Sequence, residues 1–355
     1  MSPHALEFII PGDLQSATGG YVYDRTMVEG LRALGWRVRV RALDASFPSP
    51  TSAALVHAER VLADLPDRAC VLVDGLALGG MAGLMARHSR RLSILALIHM
   101  PLAAEPGIAP ALAESLREQE RCALQLVRHV IVTGRSTERE LAAYGVDPSR
   151  LSVVEPGVWL PPATSLPRCH AGEGRLRMLC VATFHEGKGH ELLADALASL
   201  THLSWHLHCV GSLTRSRATV QRLTDQLQRL GLLERVRLQG ELPHAALSEL
   251  YLAADLFVLP TLRESYCVAV AEALAHGLPV VSSRTGAISE LVGAAAGVLI
   301  EPGDRDALRA VLSRVLQDGS LRASLRAGAL AARARLTPWP QACERMARVL
   351  QCVSR

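Results

Sequence analysis

The 355-residue sequence predicts an α/β protein made of two doubly wound, Rossmann-like domains. Three observations carry that prediction. Short apolar runs alternate with segments of helical periodicity along nearly the whole chain. The alternation breaks once, at Trp159–Gly174, where three prolines and two glycines interrupt any period. Glycines and polar residues gather just after the apolar runs, at the strand ends where doubly wound sheets bind ligands.

In the first half the apolar runs Leu6–Ile10, Cys70–Val73, Leu92–Ile98, His129–Thr133 and Leu151–Val154 read as strands, and Arg37–Leu43 reads as a strand by its alternation. A helix over Tyr21–Leu34 is closed by Gly35, and Pro110–Leu126 has helical periodicity. The pattern restarts with strands at Met178–Ala182, Trp205–Val210, Val236–Gln239, Leu256–Leu259, Val280–Ser282 and Val298–Ile300. Arg217–Leu230, Asp304–Leu316, Leu321–Arg335 and Trp339–Val353 read as helices. The expected domains are therefore 1–160, a linker 161–174, and 175–336. A closing helix within 337–355 is expected to pack back toward the first domain. Two such domains would face each other across a cleft lined by their strand ends.

Composition excludes several classes. Hydrophobic content of 49% and charged content of 20% suit a globular enzyme. No apolar run approaches the roughly 18 residues of a membrane span, and the start lacks the basic and apolar regions of a signal peptide. Cysteines at 70, 122, 169, 180, 209, 267, 343 and 352 form no C-x-x-C pair and read as small hydrophobes in a reducing compartment. A cytoplasmic location follows, with a peripheral contact at the inner membrane face left open through Arg87, Arg90 and Arg91. The net charge of +4 with few aromatics gives nucleic-acid binding little support. Of 38 basic residues only Lys188 is lysine, which hints at a place that needs a compact ammonium.

The chemistry concentrates after strands. Arg263–Glu272 follows the strand Leu256–Leu259 and reads as the mouth of a helix running through Ala275. Glu264 sits at its start, and the backbone N–H groups of Ser265, Tyr266 and Cys267 would form an anion site there. Glu272 lies eight residues on, a little over two turns, so the two carboxylates would flank one ligand. Other strand ends offer Gly19 and Gly20, His99, Gly134-Arg135-Ser136-Thr137 with Ser136 or Thr137 as helix cap, Thr183–Lys188, Gly211 and Gly240. His185 and His190 flank Lys188, and His206 and His208 share a strand face, but no carboxylate or cysteine completes a metal set, so no metal is expected. Neither Gly19-Gly20 nor Gly79-Gly80 makes the dinucleotide fingerprint.

With those residues in view, the chain resembles the retaining glycosyltransferases of glycosyltransferase family 4, which have the GT-B fold. The likeness spans essentially the whole chain. It is most specific at Glu264–Glu272, which fits that family's E-x7-E signature, and in the segment A-E-A-L-A-H-G-L-P-V-V-S-S that overlaps its end. The run V-A-T-F-H-E-G-K-G-H around Lys188, the glycines 19 and 20, I-H-M-P at His99 and V-E-P-G-V before the linker fit as well.

The resemblance implies a nucleotide-diphosphate sugar as substrate, with no cofactor, and a UDP-sugar ahead of a GDP- or ADP-sugar. Glu272 would accept from the ribose hydroxyls and Glu264 would contact the donor sugar. Lys188 and the N–H groups of Ser265–Cys267 would hold the diphosphate, Gly20 would approach the same phosphates, and His99 would orient a sugar hydroxyl. One position departs from the family pattern. Where the family usually has an arginine, five residues before the lysine, this chain has Thr183; Arg215 or Arg263 would then supply the second charge, with Arg135 as a further contact. The acceptor, a glycan, lipid or small molecule, and the oligomeric state are not specified. Alternatives are an epimerase or hydrolase acting on the nucleotide sugar, or a non-catalytic protein that binds it.

Overall fold

The computed structural model of the protein describes residues 4–16, 18–166 and 174–353. Residues 167–173 of the expected linker, with Cys169, lie outside them. The chain divides into two compact units, Met1–Gly157 with Trp339–Arg355, and Val158–Pro338. Each has its own parallel six-stranded sheet.

In the first unit the strands are β1 (Ala5–Pro11), β2 (Arg37–Leu43), β3 (Cys70–Asp74), β4 (Ser93–Ile98), β5 (His129–Val132) and β6 (Leu151–Val153). Their order is β2-β1-β3-β4-β5-β6. In the second they are β7 (Leu176–Val181), β8 (Trp205–Val210), β9 (Val236–Gln239), β10 (Leu256–Leu259), β11 (Val280–Ser283) and β12 (Gly297–Ile300), in the order β12-β11-β10-β7-β8-β9. All twelve expected strands occur, each within two residues of its predicted bounds. They were legible because central parallel strands are covered on both faces and so become continuous apolar runs. In β4 every residue after Ser93 is buried, as is every residue of β10 and β11.

The strand orders fix where a ligand can sit. In the first sheet the chain leaves β1 for β2 on one side and returns to β3 on the other. In the second it runs outward through β8 and β9 and returns to β10 beside β7. Each reversal parts the loops at the carboxyl ends of two neighbouring strands and leaves a crevice between them. The pairs are β1 with β3, and β7 with β10.

The helix Trp339–Val353 packs on the helix Gly19–Ala33 within the first unit. Tyr23, Met27 and Leu31 share a core there with Trp339, Met346 and Leu350. Each large apolar side chain so buried contributes roughly 1.5–3 kcal/mol. Gly30 permits the approach, because a methyl group in its place would overlap the Cys343 thiol. Among the described residues no helix is long and apolar enough to cross a membrane.

The cysteines are less uniform than expected. Cys180, Cys209, Cys267 and Cys343 are buried, but Cys122 and Cys352 lie on outward faces of helices and are exposed. In the basic turn at Arg87–Arg91, Arg87 and Arg90 are exposed. Arg91 turns inward and donates to the Leu62 and Leu65 carbonyls, and Arg87 pairs with Glu59 at 3.0 Å.

Candidate active site

At the crevice of the second sheet, the loops after β7 and β10 are sewn together. The loop after β7 makes a short turn at Glu186–Lys188 and leaves it through Gly189, whose φ of +72° favours glycine. A methyl group at Gly189 would also overlap the Pro260 carbonyl oxygen from the loop after β10. Leu262 N donates to Gly187 O at 2.8 Å, and Thr261 Oγ1 lies 3.0 Å from the same oxygen. This closeness brings Lys188 Nζ to 2.7 Å from Glu264 Oε1 across 76 positions of sequence. Both side chains keep some solvent contact, 29% for Lys188 and 12% for Glu264.

Glu264 is itself held on two sides. Thr261 Oγ1 lies 3.2 Å from its Oε1. The loop after β11 supports its backbone: Ala287 N donates to Ser265 O at 3.0 Å, and any side chain at Gly286 would overlap the Glu264 carbonyl. The helix expected from Ser265 begins only at Val268. Cys267 is the reason, with a φ of +73° that no helical residue adopts. Ser265, Tyr266 and Cys267 therefore form the lead-in to the helix and lie outside its first turn.

Glu272, one turn into that helix, faces inward and is 7% exposed. Its Oε2 lies 3.2 Å from the Tyr251 hydroxyl. Burial raises its pKa to about 7, against the lowering effect of that hydrogen bond. Glu272 thus sits where a small change of pH or of ligand alters its charge.

At the crevice of the first sheet, His99 follows β4 at the edge of a buried acid pair. Asp74 ends β3, and Asp24 lies on the helix that Gly19 opens, one turn after Gly20. His99 Nε2 is 3.0 Å from Asp24 Oδ1 and 3.5 Å from Asp74 Oδ2. Asp24 is 1% exposed and Asp74 2%, while the His99 side chain keeps 22%. The site is braced from behind. Leu76 N donates to Asp74 Oδ1 at 2.8 Å, and the hydroxyls of Thr133 and Thr137 donate to the His99 carbonyl. Thr137 is therefore spent on His99. Gly134 stands at the N-cap position, and no side chain caps that helix.

Burial and the neighbouring Asp24 carboxylate push Asp74 up to about 7, although the His99 charge pulls it down. Burial opposes the charge on His99, yet the Asp24 and Asp74 carboxyls outweigh it and raise the imidazole above its ordinary value. Among the described residues this trio is the grouping of three candidate metal ligands, with ligand atoms all within 4.8 Å of one another. A grouping of that kind was not expected from the sequence.

The other expected residues fall in two sets. Thr183, Gly211 and Gly240 are half-buried at the ends of β7, β8 and β9, and a methyl group at Gly211 would overlap the Ala182 carbonyl. Gly20 lies under His99, where an added methyl group would stand 3.4 Å from its ring. Gly19, Arg135 and Arg215 are exposed, and Arg263 is half-buried. Sequence reasoning missed Asp24, Asp74, Thr261 and Tyr251. Asp74 had a legible signal, since it is an acid that closes the apolar run Cys70–Val73. The other three did not.

A cavity of about 370 Å³ beside the Lys188 turn is lined by His185, Gly189, His190, Thr219, Arg222 and Leu262. A larger one, about 580 Å³, lies at the opposite, amino ends of β7–β9 beside Arg177, His206 and Arg237. The strand order assigns ligand chemistry to the first of these ends.

Sheet order and crevice define an α/β fold shared with GT-B glycosyltransferases. Sucrose-phosphate synthase from Thermosynechococcus elongatus superposes with a TM-score of 0.82 at 20% identity, over 99% of each chain. The Anabaena protein HepE, solved with UDP-glucose, gives 0.74 at 18% identity over 98% of this chain and 99% of its own. Residues 169–331 match the family described as glycosyl transferases group 1. An MMP alpha-(1->4)-mannosyltransferase of Mycolicibacterium hassiacum is 29% identical over 297 residues, 77% of this chain and 67% of the relative. A D-inositol 3-phosphate glycosyltransferase of Thermomonospora curvata is 31% identical over 263 residues, 68% of this chain and 61% of the relative. The chain belongs to the group 1 glycosyltransferases, the family 4 class anticipated from its motifs, and is a sugar-transferring enzyme.

Proposed function

We propose that the protein moves a sugar from a nucleotide diphosphate to an acceptor hydroxyl with retention of anomeric configuration and without a metal ion. The Lys188–Glu264 pair at the crevice of the second sheet carries this reading. A lone lysine held 2.7 Å from a carboxylate is poised for exchange. When the diphosphate arrives, the ammonium turns to its oxygens and Glu264 is released to accept from a hydroxyl of the donor sugar.

The bond from the anomeric carbon to the β-phosphate oxygen breaks, and the bond to the acceptor oxygen forms on the same face. The acceptor proton passes to a phosphate oxygen of the leaving group. Lys188 and the backbone N–H groups of Ser265–Cys267 stabilise the charge that develops there, which is usually the largest contribution to such catalysis. Glu272, once ionised, accepts from the ribose hydroxyls. His99 orients the sugar and Gly20 lets the backbone approach the phosphates. Arg263, Arg215 and Arg135 are the candidates to supply the charge absent at Thr183.

UDP is the first donor class to test, in keeping with the UDP-glucose bound by the Anabaena fold neighbour. Several relatives are named for D-inositol 3-phosphate, which makes a phosphorylated polyol the first acceptor to test. The experiment is a thermal-shift screen against UDP, GDP, ADP and their sugar conjugates, followed by product analysis with the donor that binds. A rise with one nucleotide is expected, since a ligand that binds only the native state stabilises it by mass action. No shift with any of them counts against a nucleotide-sugar donor, whereas a shift with no transfer to any acceptor moves weight to a non-catalytic binding protein. Free sugar or an epimer formed without acceptor favours a hydrolase or epimerase.

A further inference from the structure

We propose that Tyr251 is a positioning residue: its hydroxyl donates to Glu272 Oε2, fixes that carboxyl group, and leaves Oε1 as the acceptor presented to a ligand hydroxyl. That the ligand hydroxyl belongs to the ribose of a nucleotide rests on the reading above, whereas the hydrogen bond does not.

Glu272 lies on the helix Val268–Ala275 and Tyr251 on the helix His244–Ala253. The two residues are 7% and 1% exposed. The Tyr251 oxygen stands 3.2 Å from Glu272 Oε2. Glu272 Oε1 has no hydrogen-bond partner among the described residues, yet it is not sealed off as the unpartnered carboxyl oxygen of Glu120 is. A buried carboxyl group held at one oxygen and open at the other calls for a donor from outside the chain. In a nucleotide the ribose hydroxyls are such donors.

The tyrosine is braced in turn. Its ring stacks on His276 at 4.9 Å and on Phe257 at 6.0 Å. His276 is held at both nitrogens: Nδ1 lies 2.7 Å from the Glu272 carbonyl oxygen and Nε2 lies 2.9 Å from Ser248 Oγ. A carbonyl can only accept, so Nδ1 carries a proton. Burial lowers the pKa of His276, so the ring is neutral and Nε2 accepts from Ser248. Turning the ring would break both bonds, and His276 therefore ties the end of the Glu272 helix to the helix that carries Ser248 and Tyr251.

Tyr251 can answer either state of the carboxyl group. Burial and the neighbouring Glu272 push its own ionisation well above the ordinary value, so it keeps its proton to donate. When Glu272 is ionised, that proton goes to Oε2. When Glu272 is protonated, the acid can donate to the Tyr251 oxygen, and the tyrosine proton goes to the Ala269 carbonyl 3.3 Å away. A donor at Oε2 favours the ionised state, the one in which Oε1 only accepts.

The test is Tyr251→Phe in the full-length protein, which removes the hydroxyl and keeps the ring. Calorimetry with UDP, GDP and ADP, each beside its 2′,3′-dideoxy analogue, reads the ligand side. The nucleotide that the wild type prefers should bind about tenfold more weakly to the variant, as for a lost hydrogen bond to a charged group, and its dideoxy analogue less than about twofold more weakly. Equal losses for both ligands, or no loss for the nucleotide, overturn the proposal.

A second arm needs no nucleotide. The protein carries carboxyl-labelled glutamate, and NMR follows the Glu272 signal, assigned through Glu272→Gln, across neutral pH. The wild-type midpoint is expected at about 7, and Tyr251→Phe should move it upward, because the hydroxyl holds it down. His276, Cys267 and Cys180, the other titratable groups around the pair, are the same in both proteins. A midpoint that stays or falls overturns the proposal. In the wild type alone, the ring-carbon signal next to one tyrosine hydroxyl should move at the Glu272 midpoint; no such movement overturns the proposal even if the variant does not fold. A midpoint that rises in the variant, when the wild type binds a nucleotide and its dideoxy analogue alike or binds neither, leaves the Tyr251–Glu272 bond standing and defeats only the ribose reading.

Discussion

The two crevices solve the same topological problem with different chemistry. Each lies where the strand order of a parallel sheet reverses, and each brings charged groups from separate elements to one point. In the second unit the pairing is one to one, Lys188 with Glu264, and both partners remain partly exposed. In the first unit one histidine faces two acids that are almost wholly buried. A pair in which both partners keep some solvent contact can open without stranding a wholly buried charge, so a ligand can take over its cation. A buried trio cannot open without stranding a charge, so it is suited to hold one group in one state. The contrast is between a site that exchanges partners and a site that keeps them.

The largest effect should come from breaking the exchangeable pair. Lys188→Ala is expected to lower transfer by about 10³-fold with the thermal midpoint nearly unchanged, and Glu264→Ala to behave alike. Initial rates and melting curves on the same preparations decide it. If either variant melts far below the wild type, that residue belongs to the scaffold and the comparison fails.

Next come the glycines that set how tightly each crevice is built. Gly189→Ala combines a left-handed backbone with overlap on Pro260, and should cost about 2–4 kcal/mol in urea unfolding. Gly20→Ala places its methyl group at an ordinary contact distance from His99 and should cost under about 1 kcal/mol. A similar loss at both sites would show that the first crevice is as tightly closed as the second.

A smaller effect concerns Glu272. Its pKa of about 7 means that nucleotide binding through an ionised carboxylate must first remove a proton. UDP affinity should therefore rise by about tenfold from pH 6 to pH 8, following the ionised fraction. Glu272→Gln should bind more weakly and flatten that slope, as read by calorimetry at several pH values. A slope that survives in the variant assigns it to another group.

A further effect, read as the pH dependence of stability, concerns Glu120 on the helix Pro110–Leu126. Glu120 is buried, accepts from Leu102 N at 3.0 Å, and burial raises its pKa to about 7 from an ordinary 4.5. A raised folded-state pKa means that the native state holds the proton longer than the unfolded chain. The stability tied to that proton is full below pH 4.5 and is lost as pH rises through 7. Glu120→Gln needs no proton, so its urea midpoint should fall less than that of the wild type over this interval. Identical pH dependence in the two proteins would return Glu120 to the ordinary carboxylate range.

The central strands can be read from the sequence, because a parallel strand covered on both faces is apolar throughout, and the edge strand Arg37–Leu43 can be read from its alternation. The sequence also marks which loops matter, because His99 stands directly after such a run and Lys188 and Glu264 lie in the loops that follow two others. Tertiary structure decided the rest. That Lys188 meets Glu264 depends on β10 returning to the side of β7, a pairing between residues 76 apart that no local pattern encodes. That Asp24 and Asp74 close on His99 depends on the same reversal between β1 and β3, and on the apolar packing that excludes water from their carboxyls. The start of the helix before Glu272 was misread for a related reason. The left-handed turn at Cys267 belongs to a loop wedged against Gly286 and Ala287, and only contact with those residues makes that backbone affordable.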